Sequence, residues 1–157
     1  MGSDIVALLI SMHMGAEKMG TYEKREFVNG CKILQCDSIA TWKAHLPKLY
    51  QELENEKQFA KVYKFTYKFA ANANGFRTID LETAIALWDL LVTNKSSFLQ
   101  QWKDFLKSKK DQNTISNDTW DLFLSLIETT KGSIANFEDD GAWPSLIDEF
   151  VLFMSKK

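Results

Sequence analysis

Glycine and proline, the residues that most often form turns, are scarce in this chain of 157 residues, which has seven Gly and two Pro. A β-sandwich or β-barrel needs a turn about every 8–12 residues and draws on both residue types to make it. The scarcity therefore argues against a turn-dense β-fold. Hydrophobic residues make up 45% of the chain and charged residues 25%, an ordinary globular composition. We expect an all-α fold.

Cysteine is also scarce, and long apolar segments are missing from the sequence. Cys31 and Cys36 are the only cysteines, too few for a disulfide framework. The apolar run Ile5 to Ile10 is too short for a secretory signal and lacks a basic flank. No stretch approaches the ~18 apolar residues of a membrane span. These features predict an intracellular protein, in the nucleus, the cytoplasm or both, that does not span a membrane.

An excess of positive charge is the third feature that the sequence lacks. Lys and Arg number 19 against 21 Asp and Glu, which gives a net charge of -2. Nucleic-acid binding draws much of its affinity from the neutralisation of phosphates by basic residues. We therefore expect no nucleic-acid partner, and any role for electrostatics must be local.

Residues that carry out chemistry are few. His13 and His45 have no carboxylate or cysteine at catalytic spacing, and Cys31 and Cys36 have no nearby His to complete a zinc site. Neither a Walker A loop, a G-x-G-x-x-G loop nor a G-x-S-x-G elbow occurs. We expect no catalytic residue, no metal and no cofactor. His13 is interpreted as a structural histidine and Cys31 as a small buried hydrophobe.

The chain does contain a regular series of helical signals, with apolar residues at i, i+3, i+4 and i+7. Its length predicts one domain, over residues 4–155, and Met1-Gly2-Ser3 looks like a cloning remnant. Asp37 is the expected N-cap of the third helix, which Pro47 should break or restart. Pro144 suits a first helical position. We predict helices over 4–14, 22–34, 38 onward, 56–71, 81–92, 97–107, 117–128 and 144–154.

The helix predicted over 56–71 has the clearest amphipathic pattern. Its apolar stripe consists of Phe59, Val62, Tyr63, Thr66, Phe69 and Ala70. A row of lysines, Lys57, Lys61, Lys64 and Lys68, lies nearly opposite this stripe. Such a row can be a binding surface, but on an amphipathic helix the pattern alone favours a solvated face.

A weak repeat indicates the helix, short extended pair, helix plan of an EF-hand. Thr21-Tyr22, Thr78-Ile79 and Thr114-Ile115 each precede a predicted helix. With Gly75 at the sixth position of a calcium loop, positions 1, 3, 5 and 12 are Ala70, Asn72, Asn74 and Leu81. Calcium requires several carboxylates, including a bidentate Glu at position 12. The pattern therefore predicts EF-hand-like packing without calcium.

Acidic residues concentrate near the C-terminal end. Asp148 falls about 140° from the centre of the apolar side of the last helix, so it should face water. Together with Glu138, Asp139 and Asp140 it forms a local acidic surface that suits a partner rich in Lys and Arg. Solubility and favourable carboxylates near a helix N-terminus explain the same pattern equally well. Asp118 lies in the first turn of its helix, where a carboxylate stabilises the helix dipole. Spacing alone favours this explanation for Asp118 over a role in binding.

At these residues the sequence resembles a known family. The segment Asp140-Gly141-Ala142-Trp143-Pro144-Ser145-Leu146-Ile147-Asp148-Glu149-Phe150-Val151 closely resembles the closing signature of the cullin-binding (PONY) domain of the defective-in-cullin-neddylation (DCN1-like) family. Further segments match in the same order: Cys36-Asp37-Ser38-Ile39, Ile85-Ala86-Leu87-Trp88 and Asn117-Asp118-Thr119-Trp120. The resemblance runs from about Asp4 to Met154.

The resemblance implies a fold and an activity. The family fold is all-α, with EF-hand-like units that bind no calcium, and its members catalyse no reaction themselves. They hold a cullin, its RING subunit and the NEDD8-conjugating enzyme together as a scaffold, or co-E3. The cullin's C-terminal winged-helix domain docks on two Asp and one Ala, which match Asp118, Ala142 and Asp148.

A second site implied by the resemblance is an apolar pocket for the acetylated N-terminal Met of the conjugating enzyme. Acetylation removes a charge that is costly to desolvate there. Thr83 and Leu87 are smaller than the residues expected at their positions, and Gly20 replaces a side chain that often lines the pocket. The matching positions are Ala7, Leu8, Ile10, Met19, Tyr22, Phe69, Ile79, Thr83, Leu87 and Leu90.

The resemblance also implies further helices before Asp4, which complete the first EF-hand-like unit. Three other hypotheses differ from the scaffold. An EF-hand-like interaction module with another partner shares its fold. A calcium sensor would be stabilised by micromolar calcium, and an enzyme would need a nucleophile and base that the sequence does not provide.

Overall fold

A computed structural model of the chain describes residues 2–73, 75 and 77–156. Two positions considered above lie outside the described residues: Met1 of the predicted cloning remnant and Asn74 of the tested calcium loop.

Helices dominate the described residues, which confirms the all-α prediction. None of these helices is long and apolar enough to cross a bilayer. In chain order the elements are α1 (Gly2–Met14), α2 (Lys24–Leu34), α3 (Ile39–Glu54), α4 (Glu56–Ala73), β1 (Ile79–Asp80), α5 (Leu81–Val92), α6 (Leu99–Ser108), β2 (Thr114–Ile115), α7 (Asn117–Thr130), a short 3-10 turn (Ile134–Asn136) and α8 (Ser145–Ser155).

Contacts divide the chain into two units, a first unit over Met1–Ile79 and a second unit over Asp80–Lys157. In the first unit, α1 packs on α2, α3 and α4, and α3 packs on α4. The apolar stripe of α4 is buried as predicted, with Val62 and Tyr63 at 0% exposure. Gly30 lets α1 and α2 approach closely, since a Cβ there would stand 2.2 Å from Cγ of Met14.

The N-cap of α3 is Ser38, so the assignment of this role to Asp37 was wrong. Ser38 Oγ accepts a hydrogen bond from the backbone N–H of Thr41 at 3.2 Å. Thr41 Oγ1 in turn accepts one from the N–H of Ser38 at 2.9 Å, which completes a capping box. Asp37 instead accepts a hydrogen bond from Thr41 Oγ1 at 3.3 Å. Both residue types make good caps, and Ser38 is the one that reaches Thr41 N.

Pro47 lies inside α3, so the prediction that it breaks or restarts the helix was wrong. An interior proline removes one backbone hydrogen bond and costs about 3 kcal/mol. The helix continues to Glu54 because its second half buries Leu49, at 0% exposure, and Leu53, at 8%. Tertiary packing therefore overrides the local preference.

The second unit is built around an aromatic cluster contributed by α5 to α8. Trp88 of α5 stacks on Trp120 of α7, with ring centroids 5.1 Å apart, and Trp102 of α6 stacks on Phe123 of α7 at 4.7 Å. Phe150 of α8 meets Trp102 edge-on at 5.1 Å. All five side chains have 0% exposure. The cluster fixes the helices that carry the acidic residues near the C-terminal end.

Of the three predicted extended pairs, Thr114-Ile115 forms β2, and Thr78-Ile79 overlaps β1 (Ile79–Asp80) at Ile79 alone. β1 and β2 make a two-stranded sheet, and the N–H of Leu81 donates to the carbonyl of Asn113 at 2.9 Å. Thr21-Tyr22, the third pair, is not a strand. Each strand leads directly into a capped helix, with Asp80 as the N-cap of α5 and Ser116 as the N-cap of α7.

Five helix starts differ by one or two residues from the sequence-based predictions: α1 begins two residues earlier, α2 two residues later and α3 one residue later, and the other two are α6 and α8. The helix α6 begins at Leu99 because the N–H and the hydroxyl of Ser97 both donate to the carbonyl of Gly132, at 2.8 and 3.0 Å. The helix α8 begins at Ser145, with Pro144 as its N-cap residue in an extended conformation, φ -59° and ψ 151°. Pro144 therefore stands one position before the first helical residue, Ser145, and not at the first helical position that was predicted for it.

Candidate functional site

A groove with both acidic and apolar walls lies along α8 in the second unit. Its volume is about 430 Å³. The apolar wall includes Leu152, which is 55% exposed. The lining residues are Phe137, Asp139, Asp148, Val151, Leu152 and Ser155. One of the three predicted cullin-binding residues, Asp148, is therefore part of a concave surface.

Asp148 lines this groove and, among the described residues, has no ion-pair partner to compensate its negative charge. It lies in the first turn of α8, where the helix dipole favours a carboxylate. Its side chain is exposed, and among the described residues no hydrogen bond or ion pair engages it. The neighbouring Glu149 is paired with Lys109, whose Nζ also lies 5.5 Å from the ring centroid of Phe105. The prediction that Asp148 faces water is confirmed.

The loop before α8 presents Ala142 through two local hydrogen bonds. Asp139 Oδ1 accepts from the N–H of Gly141 at 3.0 Å, and Asp140 Oδ1 accepts from the N–H of Ala142 at 2.9 Å. Gly141 has φ 74°, a conformation that an L side chain rarely adopts. Ala142 is exposed. These bonds order the loop and leave the small side chain of Ala142 open to a partner.

Asp118 lies at the start of α7, and its side chain, like that of Asp148, is exposed. The N-cap Ser116 accepts a hydrogen bond from the N–H of Thr119 at 3.2 Å, so Asp118 is not needed as a cap. Among the residues the structure describes, no hydrogen bond or ion pair engages its carboxylate. Asp118 is not part of the lining of the groove described above. Its role in docking remains a prediction.

The ten positions matched to the acetyl-methionine pocket differ in exposure and fall in both units. In the first unit, Leu8, Phe69 and Ile79 are buried, Ile10 is half-buried, and Ala7, Met19 and Tyr22 are exposed. In the second unit, Thr83, Leu87 and Leu90 are half-buried on α5. The exposed large side chains Met19, at 42%, and Tyr22, at 44%, are available to a ligand.

Two of the matched positions make defined local contacts. The hydroxyls of Tyr22 and Ser11 lie 2.7 Å apart and share a hydrogen bond, which holds the Tyr22 ring against α1. Thr83 donates its N–H and its hydroxyl to the two carboxylate oxygens of Asp80, both at 2.8 Å. Both bonds hold the pKa of Asp80 below its ordinary value, and the bond from the Thr83 backbone N–H contributes more than the bond from its hydroxyl. The Thr83 hydroxyl is thus committed to the start of α5.

Two of the remaining groups considered for chemistry, His13 and Cys36, have structural partners. His13 Nε2 lies 2.9 Å from Glu52 Oε1, as expected of a structural histidine. Cys36, not Cys31, is the buried cysteine, at 1% exposure, while Cys31 is half-buried on the last turn of α2. Burial raises the pKa of the Cys36 thiol, whose Sγ lies 3.3 Å from the carbonyl of Leu34. The described residues contain no group of three or more His, Cys, Asp or Glu that could hold a metal.

Sequence reasoning missed the apolar wall of the groove. Leu152 follows Asp148 by four residues, so the two share one side of α8, and this spacing was an available signal. Phe137 comes from the loop after the 3-10 turn, and no periodic pattern identifies it. The groove therefore combines predicted charges with unpredicted apolar surface.

Comparisons with known proteins identify relatives for most of the chain. The sequence model of a family described as Cullin binding matches residues 41–153. DCN1-like protein 3 of Xenopus tropicalis is 38% identical over 147 residues, and that of Homo sapiens is 37% identical over 147 residues. Each of these matches covers 92% of this chain and 48% of the relative.

A more distant relative extends the match slightly. Defective in cullin neddylation protein 1 of Caenorhabditis elegans is 32% identical over 169 residues, covering 95% of this chain and 57% of the relative. The chain spans about half the length of the curated relatives it matches.

Proposed function

The chain belongs to the cullin-binding family, and on that premise we propose that it acts in cullin neddylation as a non-catalytic scaffold, a co-E3. One surface binds the C-terminal winged-helix domain of a cullin. Another binds the acetylated N-terminus of the NEDD8-conjugating enzyme, and the RING subunit of the cullin completes the assembly.

The observation that carries the cullin-binding proposal is the uncompensated carboxylate of Asp148 beside exposed apolar surface. Asp148 lines the groove with Val151 and Leu152 and has no ion pair in the described residues. A Lys or Arg of a partner can pair with it while the partner's apolar atoms cover Leu152. Charge complementarity then fixes the register, and the buried apolar area contributes most of the affinity.

Ala142 and Asp118 extend this surface in the proposal. The methyl side chain of Ala142 leaves room for a partner residue, and the hydrogen bond that the Ala142 N–H donates to Asp140 keeps the loop in place before the partner arrives. An ordered loop lowers the entropy that binding must overcome. Asp118 adds a second exposed carboxylate for a basic partner. A larger side chain at Ala142 should therefore weaken docking without altering the charge.

A scaffold of this kind accelerates a reaction that takes place on other proteins. Holding the cullin and the conjugating enzyme on one chain makes their encounter intramolecular and raises their effective concentration. It also restricts the approach of the cullin lysine to the thioester. No residue of this chain needs to touch the reacting atoms.

The first experiment tests the cullin-binding surface by reversing its charges. Calorimetry with a cullin C-terminal domain should show that Asp148→Lys weakens binding about 10- to 100-fold, since an attraction becomes a repulsion at a site flanked by buried surface. Asp118→Lys should act in the same direction. Both variants should keep wild-type helicity in circular dichroism, because both carboxylates are exposed and neither bonds to another described residue.

Asp111→Lys is the matched control for this experiment. Asp111 is an exposed acid of the same unit, in the turn before β2, and the substitution changes the charge by the same amount. Its affinity for the cullin domain should stay within about twofold of wild type. Wild-type affinity in both Asp118→Lys and Asp148→Lys would overturn the docking assignment.

The second experiment tests the proposed pocket with the N-terminal peptide of the conjugating enzyme. The acetylated peptide should bind at least ~10-fold more tightly than the unacetylated one, because an ammonium group is costly to move into apolar surroundings. Tyr22→Ala should reduce binding of the acetylated peptide, since it removes an exposed ring of the set. An acetylated peptide that begins with Glu serves as the control. Equal affinity of the acetylated and unacetylated peptides would contradict the proposal.

A further inference from the structure

The outward face of α4 carries a straight row of four lysines, Lys57, Lys61, Lys64 and Lys68, called here the lysine row. All four side chains are exposed. At 100° per residue they fall within an arc of about 60°, and at 1.5 Å per residue the row is about 17 Å long. The amphipathic pattern alone accounts for exposure but not for the confinement of one charge sign to so narrow an arc.

In the part of the chain that the structure describes, no acid forms an ion pair with the lysine row. None of the ion pairs recorded in the described residues involves any of its four ammonium groups. The acid of α4 itself, Glu56, lies about 110° away from the centre of the row around the helix. The steps of four, three and four residues therefore bring like charges together, an arrangement that destabilises an isolated helix. A negatively charged partner would relieve this repulsion on binding.

Apolar atoms border the row on both sides. Phe65 and Ala60 are half-buried and lie about 70° to either side of its centre. The ring of Phe65 is held by stacking on Phe69, with centroids 4.9 Å apart. A partner that pairs with the lysines can therefore cover fixed apolar surface as well.

The spacing identifies the partner class. A second helix with carboxylates at i, i+4, i+7 and i+11 repeats the intervals of the row, so all four ion pairs can form along three turns. Nucleic acid fits less well, because four phosphate contacts give little affinity at physiological salt and the chain as a whole has a net charge of -2. The row is also too short to continue along a long polyanion.

We propose that the lysine row is a docking surface for a short acidic helix of a partner protein. The lysine row shares no residue with the surfaces assigned above to the cullin or to the conjugating enzyme. A test of this proposal is therefore independent of the tests of those two surfaces. Two lysines at the middle of the row, Lys61 and Lys64, face the centre of the bound helix.

The test uses the full chain, labelled with ¹⁵N, and a capped alanine-rich helical peptide with four glutamates at i, i+4, i+7 and i+11. Amide shifts should move along α4 and saturate at about millimolar peptide, as expected for surface ion pairs. Affinity should fall at least ~5-fold between about 0.05 M and 0.3 M salt, because exposed charges are screened. A peptide of the same composition with its glutamates spread around the helix should bind at least ~5-fold more weakly.

Charge reversal locates the site. Lys61→Glu with Lys64→Glu should lower the affinity for the peptide at least ~10-fold. Lys24→Glu with Lys43→Glu is the matched control, since both are exposed lysines of the same unit on other helices, and it should stay within about twofold of wild type. Circular dichroism of both double variants checks that the fold is intact.

Four results would overturn the proposal. The first is equal affinity of the chain for the two peptides. The second is an undiminished affinity for the peptide in the Lys61→Glu, Lys64→Glu variant. The third is tighter binding of the row to vesicles with about 30% phosphatidylserine or to an oligouridylate. The fourth is salt-sensitive self-association that the same variant abolishes, which would make a second copy of this chain the occupant.

Discussion

Replacing Gly132 with alanine is expected to lower the free energy of unfolding by about 3–5 kcal/mol, a loss at the upper end for single substitutions. Gly132 has φ +77°, and a Cβ there would stand 2.2 Å from the backbone oxygen of Lys95. Relief of this clash must move the turn after α7 away from Ser97, whose N–H and hydroxyl donate to the Gly132 carbonyl. Urea denaturation followed by circular dichroism measures the loss.

Gly141→Ala separates backbone strain from the clash at Gly132. Gly141 has a similar φ of +74°, but nothing lies within 4 Å of the Cβ that would be added. The Gly141→Ala substitution should therefore lower the free energy of unfolding only by the strain of the left-handed conformation, about 1–2 kcal/mol. If the two alanine variants are equally stable, the close approach of Gly132 to Lys95 does not determine the stability of this turn.

Replacing Phe150 with alanine is expected to cost about 3–5 kcal/mol as well, because it leaves a large cavity in the aromatic cluster. Phe150 has 0% exposure and lies between Phe98, Trp102 and Phe105, at centroid distances of 6.1, 5.1 and 5.5 Å. Its loss frees α8 from the cluster, so the affinity for a cullin domain should fall with the stability. Denaturant titration and calorimetry report the two losses.

Leu152→Ala is the matched control on the same helix. Leu152 is 55% exposed and lines the groove beside Asp148, so its truncation should change the stability by less than about 0.5 kcal/mol. It should still weaken cullin binding if the groove is the docking surface, because it removes apolar contact area. A strong loss of stability in this variant would show that Leu152 belongs to the core.

Much of the fold could be predicted from the sequence because helical periodicity is a local property. The limits of α5, Leu81–Val92, agree with the prediction at both ends. The failures occurred where a local rule competed with another contact. Pro47 stays inside α3 because Leu49 and Leu53 are buried beyond it, and Ser97 is drawn out of α6 by its bonds to Gly132.

The candidate site could be predicted in part for the same reason. The exposure of Asp148 follows from its angle on the helical wheel, which depends on its own segment alone. The apolar wall could not be found in this way, because Phe137 reaches the groove from a loop whose path has no periodic signal. The choice of Ser38 over Asp37 as the cap depends on atomic reach, which sequence statistics do not resolve.

The unequal distribution of aromatic residues gives each unit its own optical signature. Tyr22, Tyr50, Tyr63 and Tyr67, all the tyrosines of the chain, belong to the first unit, whereas Trp88, Trp102 and Trp120 are enclosed in the second. The second unit holds four of the five tryptophans, and Trp42 is the one in the first unit. Emission excited at the red edge of the absorption band will therefore follow mainly the second unit as the protein is denatured, with a smaller contribution from Trp42. Far-ultraviolet dichroism follows the helices of both, so any mismatch between the two melting curves would reveal that one unit opens before the other.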